Sequence, residues 1–159
     1  MMRRRRPLAA ASVALVFAVF AVALGVGDAR AGAFLDDVEA GRSAVRATAA
    51  ATRPDSAAAR ATAARDVVAD RAPASAGFAL GATLAALDAD LARDPGARSG
   101  AERAIVAQQV RELLAAQAEA GIGNRALCLL SGRTEPKSLE RQVRLVEPRW
   151  SCDRDTEPR

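Results

Sequence analysis

The chain of 159 residues has no histidine, no tyrosine, one tryptophan and two cysteines. Each scarcity removes chemistry. Without imidazole, a serine or cysteine nucleophile lacks its usual base, zinc loses its commonest nitrogen ligand, and haem loses its usual proximal ligand. Aromatics make up 3% of the residues, and beyond the N-terminal region they are Phe34, Phe78 and Trp150, too few for an evident sugar-stacking platform. No glycine-rich loop followed by Lys-Ser or Lys-Thr offers a phosphate cradle. Asp88, Asp90 and Asp94 cluster as calcium ligands do, but the glycine and terminal glutamate of a twelve-residue calcium loop do not follow, and Leu91 interrupts them. They read as helix-surface aspartates. The expectation is a non-enzymatic protein with no cofactor and no metal, the alternative being a small secreted hydrolase or ligand-binding protein.

The N-terminus is distinctive. Arg3 to Arg6 precede an uncharged apolar run, Leu8 to Val26, followed by Ala29-Arg30-Ala31. Cationic residues stay on the cytoplasmic side while an apolar run partitions into the bilayer, which is the physics of an export leader. The ten Leu, Val and Phe residues of the run each favour insertion by about 0.3 to 0.6 kcal/mol near a helix centre. Small residues at Ala29 and Ala31 fit the two specificity positions of signal cleavage, giving residues 1–31 as a signal peptide. The run also approaches the length that spans a membrane, so an uncleaved anchor is the alternative, and membrane contact is expected only through this segment. The destination is periplasmic or extracellular.

The formal net charge of +4 and the sequence pI near 10.3 invite a nucleic-acid reading, but the leader produces it. Beyond Ala31 the chain carries 18 basic and 18 acidic residues. A neutral domain has no concentrated cationic footprint for phosphate backbones, and no nucleic-acid partner is expected. The expected partner is another protein of the cell envelope.

Cleavage after Ala31 leaves 128 residues, an ordinary single-domain length. In an oxidising compartment Cys128 and Cys152 most simply pair with each other, and no histidine is present to make either catalytic. The chain-entropy estimate for closing such a loop is about 3 to 4 kcal/mol.

Alanine is dense from Ala33 to Ala126 and absent from Leu127 onward. Because alanine is the best helix former, residues 32–121 read as a helical domain punctuated by Pro54, Pro73, Pro95-Gly96 and Gly121. Four helices are predicted at 33–52, 55–71, 76–92 and 99–120, forming an alanine-rich antiparallel bundle. Leu80, Leu84, Leu87 and Leu91 share one face, as do Val106, Val110 and Leu113. Ser99 and Glu102 have capping-box spacing. The first two segments offer only Leu35, Val38, Val45, Val67 and Val68, which predicts thin packing. Gln108, Gln109 and Glu112 are taken as exposed polar positions of the last helix.

Residues 122–159 are expected to form a disulfide-stapled segment packed on the helices. Gln142-Val143-Arg144-Leu145 alternates polar and apolar at strand spacing, which favours a short β-hairpin over a helix opening at Ser138. Trp150 is expected to be drawn by the bridge onto the apolar run around Cys128.

Overall fold

In a computed structural model, residues 28–131 and 136–153 are described, and the leader's apolar run lies outside them. The fold is mainly helical: α1 (Asp28–Thr52), α2 (Ala57–Asp70), α3 (Ala76–Leu91), a 3-10 turn (Pro95–Ala97), α4 (Gly100–Ala120), α5 (Asn124–Leu130) and α6 (Pro136–Arg144). The first four match the predicted segments because their punctuation works as physics requires. Ser56, Ser75 and Ser99 each cap a helix, their hydroxyls accepting from the amides of Ala59, Phe78 and Glu102. Gly121, at φ 66°, supplies the left-handed residue that ends α4. Arg53, at φ 47°, takes the same conformation after α1 without being glycine.

The helices are not equal neighbours. α3 lies at the centre and is contacted by α1, α2, α4 and α6. Its leucine stripe is completely withdrawn from solvent: Leu80, Leu84, Leu87 and Leu91 join Val106, Val110 and Leu113 of α4 in the main core, with Leu139 and Val143 of α6. A smaller cluster places Val45 of α1 and Ala64 of α2 against Ala82 and Ala86 of α3.

The packing of α1 departs from the thin contact its composition suggested. A Cβ on Gly41 would overlap the Phe78 carbonyl oxygen and come within 2.9 Å of the Ala82 nitrogen; one on Gly81 would overlap the Val38 carbonyl and lie 2.7 Å from its carbon. Phe34 lies over Gly77, Val38 over Gly81, and Val45 joins Ala82 and Ala86, so residue numbers rise together and the two helices run in the same direction. The contact is thin in side-chain bulk and close in backbone, because glycine at both crossing points removes the atoms that would hold the axes apart.

The C-terminal segment requires a correction. The described residues contain no strand, and 136–144 form α6 rather than half of a hairpin. Leu139, Gln142 and Val143 are each at most 2% exposed. Their spacing of three and four residues puts them on one helical face, and this overrides the two-residue alternation that begins at Gln142. Leu127-Cys128-Leu129-Leu130 belongs to α5. Trp150 is buried in the same core cluster as Leu127 and Cys128, as a staple residue would be.

Two outcomes test this packing. Gly81→Ala improves local helix propensity by about 1 kcal/mol but forces α1 and α3 apart, and denaturant titration should show a net loss of at least about 2 kcal/mol. Gly32→Ala, where a Cβ meets nothing within 4 Å, should change stability little. In the capping box, Ser99 N–H donates to Glu102 Oε2 at 2.9 Å, and this bond together with the Ser99 hydroxyl and Arg93 holds the Glu102 carboxyl below its ordinary value of 4.5. A depressed carboxylate contributes stability that is present above the unfolded value and lost as pH falls through the folded one. Glu102→Gln should therefore flatten part of the acid-side loss of stability measured below about pH 4.5.

Candidate functional site

Of the sequence-selected residues, Cys128 and Cys152 are joined, with Cα atoms 5.9 Å apart and a separation of 24 positions in sequence. Ala29 and Ala31 fall in the first turn of α1. A chain processed after Ala31 loses that turn but keeps Phe34, Val38, Gly41 and Val45, which make the contact with α3. No group of acidic or cysteine side chains suited to a metal is present among the described residues. No helix there is long and apolar enough to cross a membrane.

The aspartate cluster is dispersed rather than convergent. Asp94 caps the 3-10 turn, accepting from Gly96 N–H at 3.1 Å. Asp90, expected on the helix surface, is instead 1% exposed and paired with Arg60 of α2, whose Nη2 lies 2.7 Å from Oδ1. A buried carboxylate must be paired, and Arg60 supplies the charge from 30 residues away. Arg98 is also buried; it donates to the backbone carbonyls of Asp90 and Arg93 and, at 2.5 Å, to Gln142 Oε1. Burial lowers the Arg98 pKa, partly opposed by the Asp90 charge. This chain of contacts ties α2, α3 and α6 around the 3-10 turn. Apart from Arg98 Nε, which is buried without a partner among the described residues, its bonds are made within the fold, and we assign it a structural role.

A different arrangement is found where α2, α3 and α4 meet. Each helix presents alanine to the others, and side chains that stop at Cβ leave space. The result is a cavity of about 290 Å³ walled by residues that include Ala61, Ala64, Val68, Ala79, Ala86 and Ala116. Arg65 and Glu112 also line it and are paired across it, with Arg65 Nη2 3.0 Å from Glu112 Oε1, both partly open to solvent. Gln108 Nε2 donates to the same oxygen at 3.2 Å.

Gln109 completes the wall. Taken from the sequence as exposed, it is 1% exposed, and neither its Oε1 nor its Nε2 has a hydrogen-bond partner among the described residues. The correction follows from helix geometry: Gln109 stands three residues after Val106 and four before Leu113, on the face those residues bury. That spacing was a readable signal. The other two buried glutamines are satisfied: Gln117 donates to Asn124 Oδ1 at 2.9 Å and to Ile122 O at 3.1 Å, and Gln142 accepts from Arg98. Gln109 alone of the three keeps an unmet donor and acceptor.

The chain matches no protein-family model, no curated protein and no solved structure. Its chemistry therefore has to be read from its own residues. An alanine-lined cavity with one unpartnered carboxamide in its wall and a neutral ion pair beside it can hold a compact, mostly apolar molecule. It has no nucleophile paired with a base and offers no acid–base couple apart from the Arg65–Glu112 pair. An unpaired buried amide costs about 1 to 3 kcal/mol. Gln109→Leu, close in size, should therefore raise the unfolding free energy by about 1 to 2 kcal/mol in urea titrations.

Proposed function

We propose that the chain is an exported helical protein of the bacterial cell envelope or extracellular space, non-enzymatic, acting by contact with another protein. The observation that carries the reading is the combination of an arginine-led apolar N-terminus with the Cys128–Cys152 bridge. Cystines persist outside the reducing cytosol, and the N-terminal pattern is the one that moves a chain there. Neutrality of the domain beyond Ala31 argues for a protein partner over a phosphate backbone.

The C-terminal segment supports contact as the mode of action. Leu129 and Leu145 are the large apolar side chains left exposed among the described residues, at 43% and 62%. Both belong to the segment that the cystine holds against the core. In this reading the alanine-rich helices are a scaffold, α5 and the end of α6 present the contact surface, and the bridge keeps that surface in place.

Expression in a Gram-negative host with fractionation tests the proposal. The expected product begins at Gly32, is recovered outside the cytoplasm, and resists alkylation at both cysteines until reduced. A full-length product in the cytosol with both thiols open to alkylation would overturn it. Cross-linking in the native envelope should trap a partner, and Leu129→Ser with Leu145→Ser should weaken that product while leaving the helical circular dichroism spectrum unchanged.

A further inference from the structure

The cavity between α2, α3 and α4 supports an inference separate from the compartment in which the protein works. Its volume of about 290 Å³ is roughly twice that of an apolar cavity able to hold benzene, so a ligand of about ten non-hydrogen atoms fits. Most of its wall is alanine and valine methyl groups, with Thr83 and the Arg65–Glu112 pair beside them. Of the buried side chains in that wall, Gln109 is the one whose polar atoms have no partner among the described residues.

A glutamine carboxamide carries a donor and an acceptor side by side on one planar edge. The complementary edge is another amide with its N–H and C=O on the same side, as in a lactam, a primary amide or a ureide; two such edges close a pair of parallel hydrogen bonds. Both polar atoms of Gln109 are covered in the fold, and the terminal torsion of glutamine is broad, so the carboxamide turns to face the cavity when a ligand enters. Charge disfavours the alternatives. A carboxylate entering the cavity would meet Glu112 and an ammonium would meet Arg65, and because these two neutralise each other the entrance favours neither ion.

We infer that this cavity is a binding site for an uncharged small molecule bearing a cis-amide edge, with Gln109 as the group that recognises it. The alanine walls set the size of the apolar body and the carboxamide selects the head group. The ligand satisfies the donor and acceptor that the fold leaves unmet, so it binds the native state and stabilises it.

The probe is ε-caprolactam, compared with N-methylcaprolactam, which has the same ring but lacks the donor. On purified, oxidised protein, calorimetry should give caprolactam at least about tenfold tighter binding than its N-methyl derivative, the factor expected for one good hydrogen bond. Gln109→Leu should abolish that difference. Ala116→Met, which fills the cavity from its wall and leaves Gln109 in place, should abolish binding with the helical spectrum retained. In the wild type the Gln109 side-chain N–H resonances should shift on addition of caprolactam, a readout that needs no variant. Equal binding of the two lactams, unmoved Gln109 resonances, or full binding by Ala116→Met would each overturn the assignment. All of these measurements use the isolated protein, so they succeed or fail independently of where the cell places it.

Discussion

The rest of the structure depends on the approach of two backbones. At Gly41 and Gly81 no side chain stands between α1 and α3, and the Val38 and Phe78 carbonyls occupy the space a Cβ would need. Once α1 is seated there, one side of α3 is covered by a helix that contributes few large side chains. The leucine face is then free for α4 and α6, and the alanine face for α2. A chain poor in aromatics builds its core this way, by bringing main chain close where bulky side chains are scarce. The dispersion lost in side-chain volume is partly recovered in backbone contact.

Much of this order was legible in the chain, for identifiable reasons. Proline, glycine and serine act locally, so Pro54, Pro73, Ser99 and Gly121 disclosed the helix ends without tertiary information. The leucine stripe of α3 and the valines of α4 disclosed their buried faces by period alone. The pairing of Cys128 with Cys152 followed from there being no other thiol. The glycine crossing was missed although Gly77 and Gly81 stand four residues apart, because glycine in a helix has two opposite readings, weak spot or close contact, and only a partner helix decides between them.

The remaining errors concern polar groups whose environment is set from far away. Asp90 resembled its exposed neighbours until Arg60, on another helix, provided the charge that permits burial. Arg98 gave no sign of its place between the end of α3 and Gln142, since nothing local distinguishes it from the other arginines. Gln109 differs from these: its register on the α4 stripe announced burial, and the absence of a partner emerged only in three dimensions. Residues 142–145 carry both a two-residue and a three-to-four-residue pattern, and the longer one prevailed because it includes Leu139.

Within one core, then, polar side chains meet two fates. Gln117, Gln142 and the terminal nitrogens of Arg98 are used in bonds that join the 3-10 turn, α5 and α6 to the long helices. The Gln109 carboxamide is left without a partner among the described residues, in the wall of a cavity lined mostly by alanine. Sequences that specify a fold usually violate its rules only where something else is gained, and Gln109 is the residue here with both a donor and an acceptor unmet.

The cystine has a topological consequence as well. It encloses the whole stretch from Cys128 to Cys152, including α6. Hydrolysis of any single peptide bond inside that circuit opens the ring without releasing a fragment, so a nicked molecule remains one covalent object and Trp150 stays tethered beside α5. A single cut between the two cysteines therefore does not by itself dismantle the molecule.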